Sequence, residues 1–184
     1  MKPLQSVAMG LVVVALSARV HGYDALPDPV GWLLVIGGLR QLPDTYRQRQ
    51  TTGRLAGMAL AVSVVLWVPA TGAWLDDHDA ALRWAVNLPQ ALVLAWLGHT
   101  LAGHAAVADP RAARWLRTAA TLVAATAVAP VLVFGGGLDA LEDPSYVLAA
   151  LALLLLIWLL FAYSGRAWAS RDAREPSTSP DTAQ

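Results

Sequence analysis

The chain has 184 residues, 57% of them hydrophobic and 14% charged, with 13 basic side chains balanced by 13 acidic ones. A soluble domain of this length carries about a quarter charged residues, and the shortfall here is concentrated in long charge-free blocks, which argues against a soluble globular fold. Zero net charge removes the basic field that a nucleic-acid binder needs, and the absence of cysteine removes disulfides, thiol catalysis and cysteine-held metals.

A stretch of about 18 or more apolar residues reads as a transmembrane helix. Six blocks qualify or come close, in chain order. Residues 3–20 follow Lys2 and are apolar for most of their length, broken mainly by Gln5, Ser6 and Ser17. The same pattern fits a cleavable leader, whose removal would leave five spans; an uncleaved first helix is the preferred reading. Residues 29–42 follow Asp28 and Pro29, a capping carboxylate ahead of a proline at the first helical position. This block reaches only about 21 Å at the helical rise. A re-entrant half-helix is therefore the alternative to a full crossing in a thinned bilayer. Residues 54–75, 80–104, 115–138 and 144–165 each cover the roughly 30 Å hydrocarbon core. The pairs Asp109-Pro110 and Asp143-Pro144 repeat the start signal at the last two helices. Residues 171–184 are polar, contain two prolines and have no periodicity, which predicts a disordered tail.

Charge orients the spans. With the N-terminus inside, Lys2, Arg40, Arg47, Arg49, Arg54, Arg111, Arg114, Arg117, Arg166, Arg171 and Arg174 fall on the cytoplasmic side, and only Arg19 and Arg83 outside. Basic residues alternate through every loop as the positive-inside rule requires. The expected fold is all-α: a polytopic transmembrane helical bundle of six spans in the plasma membrane, both termini inside, with residues 1–170 as the membrane domain.

Asp24, Leu26, Pro27, Asp28, Val30 and Gly31 form an Asp-x-Leu-Pro-Asp-x-Val/Ile-Gly segment. It resembles the segment that opens an early helix in small bacterial, especially actinobacterial, multi-pass membrane proteins. The resemblance implies a bacterial membrane protein and no particular activity. Independently, Gly31, Gly37 and Gly38 offer surfaces where another backbone can come close, and Gly53, Gly57 and Ala61 form a similar stripe on the third helix, with packing inside the monomer as its expected use.

No Asp, Glu, Lys or Arg lies at mid-depth in any span, which argues against proton relays and ion-coupled carriers. His99 and His104 sit roughly 140° apart on the fourth helix at 100° per residue, too far to share a metal. They read as a buried histidine bonded to a carbonyl and an interfacial one. Asp76, Asp77, His78 and Asp79 form the best formal site for a hard divalent cation; the alternative is a solvated turn in which Asp79 caps the next helix. Trp32, Trp74 and Trp84 are expected at the outer interface, Trp115 and Trp168 at the inner one, and Trp67, Trp96 and Trp158 in the packed interior.

Pro69, Pro89 and Pro130 interrupt three spans at a similar depth and free the carbonyls of Val65, Ala85 and Thr126. Thr71, Asn87, Gln90 and Thr126 lie in the same layer. They line either a polar vestibule open to the outside or a set of interhelical hydrogen bonds. Two function classes follow. The first is a non-enzymatic solute facilitator or accessory subunit of a membrane complex. The second is a membrane enzyme with a metal or acid/base site at the outer acidic loops. No motif calls for a cofactor; the expected partners are the lipid bilayer and either a second copy or a membrane-complex subunit.

Overall fold

The computed structural model describes residues 2–16, 19–20, 23–24, 28–76 and 80–169. Helix α1 (Pro3–Ala15) leads into two short antiparallel strands, β1 (Arg19–Val20) and β2 (Tyr23–Asp24), with Arg19 opposite Asp24 and Val20 opposite Tyr23. Helices α2 (Asp28–Arg40), α3 (Arg49–Trp67), α4 (Pro69–Asp76), α5 (Ala80–Ala105), α6 (Pro110–Pro130) and α7 (Glu142–Tyr163) follow. A π-helical turn, Val131–Gly135, extends α6, and 3-10 turns at Asp139–Leu141 and Ala167–Ala169 flank α7. The fold is all-α apart from the strand pair.

The helices form a closed ring. Each packs on its neighbour in sequence, with α3 and α4 serving as one broken element, and α7 returns to pack on α1. Leu97 and Leu101 of α5, Leu116 of α6 and Leu156 and Leu160 of α7 meet in a core continuous with Leu4, Leu11 and Leu39 of the first two helices. Each buried leucine contributes about 1.5–3 kcal/mol relative to exposure in water; in hydrocarbon, close packing takes over that role.

Local chemistry sets the element boundaries. Asp109 caps α6, its Oδ1 accepting from the Ala112 N–H at 3.0 Å, with Pro110 in the first turn as expected. Helix α7 begins at Glu142, just before Asp143, because the preceding 3-10 turn runs directly into it and Leu141 occupies the cap position. Helix α1 ends at Ala15, short of the expected span to residue 20. Leu16 leaves the helical region (φ −94°, ψ 93°), and the chain turns toward β1.

The three prolines act differently. Pro69 separates α3 from α4, and the Val65 carbonyl is met by the Val68 N–H at 3.4 Å. Pro89 lies inside an unbroken α5. Pro130 is followed by the π-helical turn, the usual local response when an i→i−4 bond is lost. The Val131 N–H points to the Val128 carbonyl, and the Ala127 carbonyl accepts from the Trp84 indole N–H at 3.1 Å. That bond ties α5 to α6.

The closest helix contact is between α1 and α2. A Cβ placed on Gly10 would lie 2.4 Å from the Gly31 carbonyl oxygen, and one on Gly31 would lie 2.6 Å from the Gly10 oxygen. Gly38 meets the Pro3 oxygen and Val7 in the same way, so the helices run antiparallel with backbones in contact. Ser6 Oγ adds a bond to the Leu34 carbonyl at 3.1 Å. Trp32 of α2, expected at an interface, is wholly buried in the core. Gly37, Gly53 and Gly57, by contrast, face nothing within 4 Å and Ala61 is exposed, so among the described residues the stripe on α3 is not a packing surface inside the monomer.

Among the described residues two helices are long and apolar enough to cross a membrane, Pro110–Gly135 with mean hydropathy 1.9 and Asp143–Tyr163 with 2.6. Both α1 and α2 have 13 residues, about 20 Å of helix. In α5 polar residues such as Asn87, Gln90, His99 and Thr100 dilute an otherwise apolar helix of 26 residues.

The ring also sorts charge. The N-terminus of α1, the α2–α3 loop, the α5–α6 loop and the chain after α7 gather at one end, as the Arg166–Asp109 approach of 3.8 Å and the His104–Trp168 bond of 3.0 Å record. This basic end holds Lys2, Arg40, Arg47, Arg49, Arg54, Arg111, Arg114, Arg117 and Arg166. The start of α2, the end of α4 and the π-helical and 3-10 turns between α6 and α7 lie toward the other end, where Asp28, Asp76, Asp139, Glu142 and Asp143 fall.

Candidate functional site

A wide concavity opens at the basic end, a cleft of about 990 Å³. Its floor is the C-terminal half of α5. Trp96, Thr100 and Gly103 recur at spacings of four and three and so share one helix face, and Val107 follows in the turn just beyond the helix end. His99 and His104 flank that face on opposite sides, so histidines roughly 140° apart line one cleft. The α2–α3 loop supplies Asp44, Arg47 and Gln48 to one wall; Arg117 of α6 and Trp168 complete the rim.

A hydroxyl network holds the loop in place. Tyr46 is 2% exposed, and its hydroxyl lies 2.6 Å from Thr100 Oγ1 and 3.0 Å from Thr52 Oγ1, linking the loop to α5 and α3. Thr100 also donates toward the carbonyls of Trp96 and Leu97, and the Trp96 indole reaches Thr52 Oγ1 at 3.3 Å. Burial pushes the Tyr46 hydroxyl above its ordinary pKa of 10.0, against the opposing pull of its bonds to Thr100 and Thr52. It therefore stays protonated at neutral pH. Next to it His104 packs edge-on, ring centroids 5.7 Å apart, and its Nε2 pairs with the Trp168 carbonyl. His99 is exposed. The expected roles of the two histidines are thus exchanged: His104 carries the carbonyl bond because the chain after α7 folds back over it.

A second, smaller cavity of about 160 Å³ lies toward the acidic end between α5, α6 and α7. It adjoins Pro130, and Asn87 and Thr126 both line it, together with Trp84, Ser145 and Tyr146. Thr126 Oγ1 is turned back to the Val123 carbonyl at 2.9 Å. Gln90 and Thr71 are not on its wall. Gln90 is buried on α5, and its Nε2 has no hydrogen-bond partner among the described residues; Thr71 sits half-buried on α4. The expected ring of four is therefore split into a pair and two separate residues, and much of the shared cavity is apolar, with Leu88, Ala91, Ala127 and Val133.

Asp76 ends α4, while Asp77, His78 and Asp79 lie outside the described residues, as does the predicted tail. Among the described residues no group of three or more His, Cys, Asp or Glu is placed to hold a metal ion. Trp67, Trp96 and Trp158, expected in the interior, are between 40% and 63% exposed. Trp96 lines the cleft, its indole turned to Thr52, so the three are not interior packing residues.

Sequence reasoning missed Tyr46, Arg117 and Trp168 as site residues. The periodic signal at Trp96, Thr100 and Gly103 was available on an otherwise apolar helix. What covers that stripe comes from a loop and from the chain after α7, and no spacing encodes either. No known protein family, curated protein or solved structure matches this chain.

Proposed function

We propose that the chain is a six-span plasma-membrane protein with both termini inside, and that it acts as a non-enzymatic, ligand-binding accessory subunit of a membrane assembly. The observation that carries the membrane reading is the outward face of α7. Val147, Leu151, Leu154 and Trp158 run along it, each more than half exposed. Soluble monomers rarely expose apolar patches beyond a few hundred Å², whereas hydrocarbon is the natural neighbour of such a face. Similar side chains, among them Leu33, Met58, Val65, Leu92 and Val131, are exposed on the other helices.

Six spans agree with a ring of six elements that ends with all its arginine-rich loops together. The α1–α2 pair is the short member. Its strand pair bonds its own backbone groups, which suits a hairpin that must lengthen a 13-residue helix pair within a thinned bilayer. A solute facilitator needs a path between the two cavities. Along α5, Val93, Leu94 and Leu97 are buried between them, which favours the subunit reading.

Topology is tested with single cysteines in this cysteine-free chain and an impermeant thiol reagent on intact cells. Positions 77 and 139 are expected to label, and positions 47 and 114 only after lysis. Labelling at 47 in intact cells would overturn the orientation. A cysteine at position 2 that labels from outside would establish the re-entrant alternative for α2. The subunit reading is tested by native electrophoresis of mildly solubilised membranes. The chain is expected to migrate in an assembly well above its own 19.5 kDa plus detergent; an isolated monomer would refute it.

A further inference from the structure

We propose that the cleft at the basic end binds a phosphate group, carried by a lipid headgroup or by a soluble organic phosphate. It is the same cleft offered above as the ligand site, so the proposal names the ligand class of that reading. Three formally charged side chains line it, Asp44, Arg47 and Arg117. Asp44 is neutralised locally, its Oδ1 lying 2.7 Å from Arg49 Nη1. Arg47 and Arg117 are exposed, and neither makes a side-chain ion pair or hydrogen bond among the described residues. Among the described residues, then, two guanidinium groups line the cleft without a carboxylate partner.

The remaining polar lining is rich in donors. The Gln48 amide adds N–H groups, and His99 presents its ring at the open edge. The one carboxylate is already engaged. Guanidinium groups match phosphate oxygens with paired, charge-assisted bonds, so such a lining selects an oxyanion over a neutral or cationic ligand. A volume near 990 Å³ lies at the upper end of small-molecule sites. It exceeds what a bare ion fills, and Trp96, 40% exposed, offers an apolar wall for the group that bears the phosphate. The floor is rigid, since the Tyr46–Thr100–Thr52 network fixes loop, α5 and α3 together.

The test uses the purified full-length protein in phosphatidylcholine nanodiscs. Inorganic pyrophosphate and dihexanoyl phosphatidic acid are titrated separately, and binding is read by calorimetry and by the change in total tryptophan fluorescence, to which Trp96 and Trp168 in the cleft contribute. A saturable response is expected to at least one probe. Arg47→Gln with Arg117→Gln is expected to weaken it by about tenfold or more, the scale of losing charge-assisted bonds. Arg114→Gln, the same charge change elsewhere on α6, is expected to leave affinity within about twofold, since one exposed charge outside the cleft acts only through screened solvent. Response to the lipid alone assigns the headgroup as the source; response to pyrophosphate alone assigns a soluble phosphate. Absence of saturation with both probes, or equal weakening by Arg114→Gln, would overturn the site. Because these readings use purified protein, they are independent of membrane orientation and of assembly. A failed labelling or native-gel result leaves them standing, and their failure leaves the topology untouched.

Discussion

Gly31→Leu is expected to abolish recovery of folded protein, and Gly31→Ala to lower its thermal midpoint by several degrees. The atoms facing Gly31 are the Gly10 carbonyl oxygen and Val14 Cγ2, both 2.6 Å from an added Cβ, and the Val14 nitrogen at 3.1 Å. Two of the three are backbone and cannot rotate away, so a side chain forces α1 and α2 apart. Overpacking of this kind costs about 1–3 kcal/mol, and more when backbones must move. Separation also removes the Ser6–Leu34 bond and uncovers Trp32. The control is Gly37→Ala on the same helix, where nothing lies within 4 Å; helix propensity favours alanine there by up to about 1 kcal/mol. Thermal unfolding in detergent, followed by the monodisperse fraction on size exclusion, distinguishes the two. Equal stability of Gly31→Ala and Gly37→Ala would mean that the two helices do not touch as described.

Tyr46→Ala is expected to be the most damaging loop substitution, costing about 3–5 kcal/mol as for other buried aromatics truncated to alanine. The ring is buried against His104, and its hydroxyl joins two helices. Tyr46→Phe keeps the ring and removes only the hydroxyl. Thr100 retains the Trp96 and Leu97 carbonyls, and Thr52 still accepts from the Trp96 indole, so each buried hydroxyl keeps a partner although Thr52 loses the Tyr46 oxygen. Its cost is about 0.5–1.5 kcal/mol. Chemical denaturation in detergent measures both, and a Tyr46→Phe loss equal to that of Tyr46→Ala would show that the bonds, not the packing, hold the loop. The pH dependence has a definite sign. The hydroxyl is raised above 10.0 in the folded state, so its contribution is complete below about pH 10, the unfolded value, and is lost as pH rises through the folded one.

Much of the helical framework was legible because its signals are local. A carboxylate ahead of a proline starts a helix by capping chemistry within four residues, and Asp109 does so as its neighbours dictate. Pro69 breaks a helix and Pro130 perturbs one because each lacks an N–H. The alternation of arginine with acidic loops likewise follows from counting along the chain, and the ring returns those arginines to one end. Helix length was less legible: α1 stops at Ala15 although the expected span ran to residue 20, because Leu16 takes an extended conformation.

Convergence of side chains was decided only by the tertiary structure. Asn87 and Thr126 share a cavity while Thr71 and Gln90 do not, since depth along a helix says nothing of which way that helix is rotated. Trp32 is buried and Trp158 is outside for the same reason: rotation is set by the closest contacts, and here Gly10 and Gly31 fix it for the first pair. Tyr46 looked like an unremarkable loop residue. It organises the cleft because ring closure brings α3 and α5 side by side beneath the loop, placing Thr52 and Thr100 within hydrogen-bond reach of one hydroxyl across 54 residues of chain.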